Sequence, residues 1–421
     1  MKIYKFGGAS IATPSAMKNL FPIISDTKKP LIVVVSAFGK TTNALEKIVN
    51  AANGGNKELA QTLLLDIELA HNNYAIELLG ENGFQALLPQ LQEFYTEIQW
   101  AIDDGGIQNK NYVYDQIVSI GELLSTTLFS AFLNQNNLQN TWLDARDFIK
   151  TDNNYRDANV DMELSEQSAQ KIIRNELNKT NIIITQGFIG CTDENASTTL
   201  GREGSDYSAA LLASFLNAED VTIWKDVKGL YNADPRLFPN AVQIPEISYF
   251  EVVEMAYYGA QVIHPKTIKP LQNKRIPLYV KCFLDKTLPG SCIKAEIDAY
   301  QYPPIIVVKK QQVMLNIQSR DFSFITEDNI GKIYSIFAQH QTRINMIQNS
   351  AINLKVGVNN DADKIKQIVA QLDANYVVHV NENVEIVTIR HYNDAIVSDV
   401  LRGKIKLVEQ KTSNTFRAIV Q

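Results

Sequence analysis

The amino-acid sequence predicts an α/β protein with a mostly parallel sheet, followed by a smaller region of ferredoxin-like βαββαβ order. Three observations lead there. Short β-branched runs alternate with longer helical patterns over the first two thirds of the chain. Turn-forming residues gather between about Asp285 and Pro304, with Pro289-Gly290 and Pro303-Pro304 as their clearest marks. Beyond them the pattern becomes strand, helix, strand, strand, helix, strand. At 421 residues the chain also exceeds the size at which one hydrophobic core usually keeps growing, so two or more domains are expected. The boundaries read as 1–295 and 305–421.

In the first domain, apolar runs predict strands at residues 3–6, 31–36, 181–185, 221–224 and 278–281. Residues 57–100 carry apolar side chains at helical spacing, and Gly80, Gly83 and Pro89 punctuate them into an αα-hairpin. A further helix is expected near Val113, after the Asp103-Asp104-Gly105-Gly106 turn, and another from Gly204-Ser205-Asp206 through Leu216. In the second domain, strands are expected at 313–318, 344–347, 352–358 and 376–380, with helices at 330–340 and 364–372. A weaker second copy covers 384–390, 395–402, 405–409 and 415–420, and stops before a second helix could form.

Composition excludes several function classes. Hydrophobic residues at 45% and charged residues at 20% fit an ordered globular protein. The net charge of −6 offers no basic field for nucleic acid or an anionic membrane, so an anionic ligand needs a local positive site. Cys191, Cys282 and Cys292 are too few for a disulfide framework and lack metal-ligand spacing. The chain enters a predicted strand at once, without a signal-peptide pattern, and apolar stretches such as 31–35 fall far below the roughly 20 residues of a bilayer span. The expectation is a cytoplasmic protein.

Three segments carry chemistry. Lys5-Phe6-Gly7-Gly8-Ala9-Ser10 ends the first strand, where two glycines let backbone N–H groups approach an anion and a lysine supplies a point charge. By itself a Gly-Gly turn after a strand is only a turn, and the segment is neither of the common glycine-rich nucleotide fingerprints. Thr198-Thr199-Leu200-Gly201-Arg202-Glu203-Gly204-Ser205-Asp206-Tyr207 leads into a helix, and Ser205 or Asp206 would serve as its N-cap. Capping does not explain Arg202, which a glycine-rich loop would hold out toward an anion. The third segment runs from Trp224-Lys225-Asp226 through Gly229-Leu230-Tyr231 to Asp234-Pro235-Arg236, a polar turn beyond a strand end, where open α/β sheets bind ligands.

Together these segments resemble the aspartate kinases of the amino acid kinase superfamily. Val35-Ser36-Ala37, Thr42-Asn43, Ser119-Ile120-Gly121-Glu122 and Glu254-Met255-Ala256 through His264-Pro265 match in the same order. The resemblance implies an amino acid kinase domain followed by paired ACT domains, with ATP and Mg²⁺ used to phosphorylate the side chain of L-aspartate. It implies Lys5 and Asp206 as catalytic residues, with Gly7, Gly8 and Ser10 around the phosphate. Ser36, Thr42, Glu122, Arg202 and Ser205 would bind the amino acid, and Lys225, Asp226, Tyr231, Arg236 and Gln261 the nucleotide. No metal ligands are implied, Mg²⁺ being held mainly by ATP. The residue types agree independently, since an amino acid needs one acid for its ammonium and one base for its carboxylate. His71 and His264 are read as structural.

In the second domain the resemblance implies an effector stretch at Phe324, Ile325, Ile344, Asn345 and Ser350, for lysine or threonine, and a homodimer formed through the ACT modules. Three departures stand out. Glu203 replaces a common glycine, Gln261 a common lysine, and Asn345 the aspartate of lysine-sensitive relatives. A neutral amide at 345 loses the charge pairing an effector ammonium would make. Two other readings stay open: a kinase of the same superfamily acting on glutamate, acetylglutamate or carbamate, and a non-catalytic amino-acid sensor.

Overall fold

The computed structural model describes residues 1–105, 109–297 and 302–421. Gly106 of the expected turn and part of the expected linker lie outside them. The described chain divides into two compact units. The first comprises residues 1–230, 245–252 and 263–297, and the second 231–244, 253–262 and, among the described residues, 302–421. Two short stretches that precede the expected linker therefore pack with the second unit.

The first unit is built on β1 (Lys2–Phe6), β2 (Leu31–Val35), β3 (Thr141–Leu143), β4 (Ile182–Gln186), β5 (Asp220–Lys225), β6 (Glu246–Ser248), β7 (Leu278–Cys282) and β8 (Ser291–Lys294). They form one sheet of order β6-β8-β7-β5-β1-β2-β4-β3, parallel apart from β7 with β8. A parallel sheet covered on both faces needs strands that are apolar throughout. The run Leu-Ile-Val-Val-Val of β2 meets that need, and all five residues are inaccessible to solvent. Each such side chain contributes about 1.5–3 kcal/mol relative to exposure.

The helices of this unit include α1 (Thr41–Asn53), α2 (Lys57–Asp103), α3 (Lys110–Val118), α4 (Ile120–Gln135), α5 (Met162–Leu177) and α6 (Gly204–Leu216), and α7 (Tyr249–Tyr258) and α8 (Pro265–Lys274) follow. Within α2 helical geometry breaks at Gly80, with φ 72° and ψ 171°. Pro89, expected as a second punctuation, lies inside the helix. The stretch Lys110–Gln135 is long and apolar enough to cross a membrane by length and composition, yet 89% of its most apolar window is buried within the fold.

The second unit holds β9 (Ile305–Ser319), β10 (Ile344–Asn349), β11 (Asn353–Asn359), β12 (Tyr376–Arg390), β13 (Lys406–Lys411) and β14 (Thr415–Val420), in the order β10-β11-β9-β12-β14-β13. Its helices are α9 (Glu327–Gln339), α10 (Ala362–Leu372) and α11 (Asp394–Val400). The strands β9 and β12 pair along most of their length, with the register slipping between Lys309 and Gln312. Beyond that slip β9 pairs with β11, and the later half of β12 pairs with β14.

Two four-stranded modules thus share two long strands. The first, β10-β11-β9-β12, encloses a core of Leu315, Ile317, Ile333, Phe337, Val356 and Ile368. The second, which the sequence leaves a strand short, takes Ile305–Lys309 as its fourth strand, so the first module is an insertion within the second. That strand was hidden because Lys309-Lys310-Gln311-Gln312 interrupts the apolar pattern where the chain bends, at Gln311 with φ 54°. Met314, Met346, Ile386, Val408 and Ile419 form a further core that draws on both modules.

Candidate active site

The register of the parallel sheet sets one edge. Phe6 is level with Val35 and Trp224, and Val35 with Gln186, so β1, β2, β4 and β5 end together. Gly7, Ser36, Gly187 and Lys225 all stand at that carboxyl edge, where open α/β sheets bind ligands. Lys5, one residue before the end of β1, is 9% exposed. Its Nζ lies 2.6 Å from Oδ1 of Asp206, in the first turn of α6, and Lys225 Nζ lies 3.7 Å from Oδ2. Burial opposes the charge of Asp206, yet Lys5 and Lys225 hold its carboxyl below the ordinary range. Two cations around one carboxylate leave excess positive charge beside the Gly7-Gly8 backbone.

Close approach explains the second glycine. A Cβ on Gly8 would come within 2.6 Å of the Ala37 carbonyl, and the Gly8 carbonyl accepts from Gly39 N–H at 3.0 Å. Ser10, expected near the phosphate, is buried in the same turn. Its hydroxyl is 1% exposed and donates to the Gly7 carbonyl at 2.6 Å, so it holds the turn.

Next to this lysine pair lies a polar cleft from three elements. Ser36 Oγ donates to Ser205 Oγ at 3.0 Å, and Ser125 Oγ donates to the Ser36 carbonyl at 2.8 Å. Glu122, in the first turn of α4, accepts from Ala37 N–H at 3.3 Å through Oε1, while Oε2 is buried without a partner. Burial pushes its carboxyl up to about 8, against the opposing pull of the Ala37 and Glu122 N–H groups and of Lys5. A buried carboxylate with an unused oxygen is prepared for a cationic partner. Thr42 is half-buried in the first turn of α1.

The loop before α6 is bent by two left-handed residues, Gly201 at φ 74° and Glu203 at φ 57°. That backbone at Gly201 favours glycine, and a Cβ there would also displace Asp157 Oδ1, 2.5 Å away. Glu203, not Ser205 or Asp206, occupies the N-cap position, with no side-chain cap. The expected cap residues sit inside the first turn, Asp206 turned to the two lysines and Ser205 to Ser36. Between the two bends Arg202 is exposed, with no side-chain partner among the described residues.

Sequence reasoning passed over the residues that brace this loop. Asp115, fully buried in α3, accepts from Thr199 N–H at 2.9 Å, Thr199 Oγ at 2.7 Å and Arg156 N–H at 3.0 Å. Burial raises its carboxyl to about 6 despite these bonds. Lys266 bonds Asp157 and the Leu200 carbonyl, both at 3.0 Å. In sequence both residues read as ordinary helix-surface charges.

Of the residues expected around the nucleotide, Lys225 joins the Asp206 cluster and Asp226 is exposed in the turn beyond it. Tyr231, Arg236 and Gln261 belong to the second unit. Arg236 forks onto Asp234 at 2.8 and 3.0 Å. Of the expected effector residues, Ile325 is buried in the first module's core, Phe324 is exposed and Ser350 Oγ donates to the Asn353 carbonyl at 3.1 Å. Among the described residues no group of three acidic, histidine or cysteine side chains could cage a metal. His71 is buried against Phe38, with Nδ1 2.8 Å from the Ile67 carbonyl, and His264 Nδ1 accepts from Lys266 N–H as the cap of α8.

The chain matches the model of the amino acid kinase family over residues 1–282. Lysine-sensitive aspartokinase 3 of Escherichia coli (strain K12) is 30% identical over 399 residues, which span 92% of this chain and 86% of that protein. The chain belongs to the amino acid kinase family, on its aspartokinase branch. Solved structures agree with this kinship. Aspartokinase III of E. coli in complex with lysine and aspartate, in its T-state, superposes with a TM-score of 0.85 at 27% identity, covering 100% of this chain and 95% of that one. The same E. coli aspartokinase with aspartate and ADP, in its R-state, gives 0.80 with 100% and 96% covered. Both matches extend over the residues of both units.

Proposed function

We propose that the lysine pair, the glycine turn and the Glu122 cleft together transfer the γ-phosphoryl group of ATP to the side-chain carboxylate of L-aspartate, giving 4-phospho-L-aspartate and ADP. The observation that carries this reading is Glu122: a buried acid whose second oxygen has no partner among the described residues, next to the Ser36–Ser205 pair through Ala37. The substrate ammonium pairs with Glu122 and its α-carboxylate with Arg202, while Ser36, Ser205 and Thr42 orient the body of the amino acid. The side-chain carboxylate, with a reference pKa near 3.9, is ionised at neutral pH and attacks the γ-phosphorus without a general base. The bond from the γ-phosphorus to the bridging oxygen breaks, and ADP departs with its electron pair.

Lys5 and the N–H groups of Gly7 and Gly8 offset charge on the phosphoryl oxygens, and Asp206 fixes the two lysines. Mg²⁺ would be held mainly by the ATP phosphates, where it screens their charge. Lys225, Asp226, Tyr231, Arg236 and Gln261 are the proposed nucleotide contacts. The aspartate and ADP held by the E. coli relative support the same substrates here. An acetylglutamate kinase would leave Glu122 without an ammonium to meet, and a sensor without turnover would have no need of the Lys5–Asp206 pair. Lysine or threonine as effector, a homodimer through the paired modules and a cytoplasmic setting complete the reading. An ATP-dependent hydroxamate assay tests it. Hydroxamate should form with L-aspartate, and its absence, or equal formation with glutamate, would overturn the assignment.

A further inference from the structure

The second unit holds a cavity of about 430 Å³ unlike anything the reaction requires. Its walls are aromatic, from Tyr257, Tyr334 and Phe337, and two arginines, Arg343 and Arg417, enter it. The Arg343 guanidinium lies 4.9 Å from the centre of the Tyr257 ring, and that of Arg417 lies 4.8 Å from the Tyr258 ring. Both cations are thus held in fixed planes by aromatic faces. A third cation backs them. Lys309 donates to Asn345 Oδ1 at 2.7 Å, and Asn345 lines the cavity. Burial, with Arg343 and Arg417 close by, keeps the Lys309 ammonium below the ordinary lysine range.

Among the described residues no carboxylate is engaged directly by this cluster, and none lies within ion-pair distance of Lys309, Arg343 or Arg417. Glu254, the acid whose charge acts on Arg417, is engaged by Arg390 at 2.7 Å. Arg417 donates through Nη2 to the Asn345 carbonyl at 2.7 Å, but its Nε is buried without a partner. In a chain of net charge −6, three cations without an ion-pair partner among the described residues, two of them partly buried, mark a place for negative charge.

We infer that this cavity binds a small polyanion, a molecule bearing two or more carboxylate or phosphate groups. Guanidinium forks take such groups in pairs of parallel hydrogen bonds, and the aromatic walls accommodate the body between them. The site shares Ile344 and Asn345 with the expected effector stretch, while Phe324, Ile325 and Ser350 do not line it. It also disfavours a lysine side chain, whose ammonium would face three like charges. The Asn345 amide is fully engaged with Gln312 at 2.7 Å, Asn359 at 2.9 Å and Lys309.

The test is calorimetric titration of the full chain, at matched ionic strength, with citrate and separately with pyrophosphate. At least one probe should bind. Arg343→Glu should weaken that binding about tenfold or more, and Lys5→Ala should leave it unchanged, which separates the cavity from the catalytic edge. Arg343 is exposed, so its replacement leaves the core intact, and Arg417→Gln gives a second reading of the same site. Binding of citrate alone would identify a carboxylate ligand, and of pyrophosphate alone a phosphate ligand. Failure of both probes, binding that survives both arginine variants, or binding that vanishes in Lys5→Ala would overturn the inference.

Discussion

The ammonium of Lys5 lies 2.6 Å from one oxygen of Asp206, and Lys225 approaches the other oxygen at 3.7 Å. One buried carboxylate therefore keeps two cations side by side at the end of a parallel sheet. Without it they would repel each other. Lys5→Ala should lower kcat at least about 100-fold, because the lost charge acts on the transferring group. It should also destabilise the fold by about 3 kcal/mol, since Asp206 is left buried with the more distant Lys225 as its remaining cation. ADP release and urea unfolding measure the two effects. Turnover near that of the unaltered enzyme would remove Lys5 from the chemistry.

Glu122 gives the reaction a pH signature. Burial raises its carboxyl to about 8, so at pH 7 the empty site holds it mostly protonated. An ammonium needs the ionised form, so aspartate binding should release close to one proton per molecule at pH 7. The KM for aspartate should accordingly fall as pH rises from 7 toward 8.5. The folded-state value lies above the unfolded one, so this group's stabilising effect is complete below about 4.5 and disappears as pH rises through about 8. Glu122→Gln should abolish the proton release and raise KM. Calorimetry in buffers of different ionisation enthalpy decides the matter, and a bound state that releases no proton would separate Glu122 from the ammonium.

Arg202 is exposed and makes no side-chain bond among the described residues, so its removal costs the fold little. Arg202→Ala should raise the KM for aspartate about tenfold or more while kcat changes less, the pattern of an interaction made equally before and during reaction. Steady-state kinetics at saturating ATP tests this. An unchanged KM would place the α-carboxylate elsewhere.

The neighbouring Glu203 holds φ 57°, a conformation that is comfortable for glycine and strained for a side chain. Glu203→Gly should therefore leave the bend in place and stabilise the fold by up to about 1 kcal/mol. It also removes an acid beside Arg202, so KM for aspartate should fall. Thermal unfolding and kinetics on one preparation measure both. A loss of stability would mean that the Glu203 side chain supports the loop.

The chain order of apolar runs and glycine turns was enough to locate the sheet edge, because each central strand carries an apolar run and each of the five predicted strands lies within a residue or two of the observed one. Leu31–Val35 and Ile182–Gln186 are examples. Lys5 and Glu122 were visible as residue types beside such runs. The relation between Lys225 and Asp206 was not, since only the crossing of β5 next to β1 brings them together. The same holds for Asp115, whose bonds to Thr199 are tertiary. The paired modules were legible as alternating strands and helices, but their sharing of β9 and β12 was masked by the polar bend at Lys309–Gln312. The cationic cavity was likewise beyond sequence reasoning, because Arg343 and Arg417 lie on separate elements and acquire meaning from the aromatic rings they meet.

His71 offers a test of a residue outside the chemistry. It packs against Phe38 with ring centres 4.3 Å apart, and burial lowers its pKa to about 4 although the Ile67 carbonyl favours the charged form. A depressed folded-state value means that the neutral ring stabilises the fold above about 6.5, and that this is lost as pH falls through about 4. The shift corresponds to about 3 kcal/mol. His71→Phe keeps the stacking on Phe38 and removes the titration, so the fall in urea midpoint between pH 7 and pH 4.5 should be smaller in the variant. Its kcat at pH 7.5 should stay within about twofold of the unaltered enzyme, since aspartate needs no general base. A variant with the same acid sensitivity would show that His71 is already solvated, and one that loses turnover while remaining folded would return a histidine to the reaction.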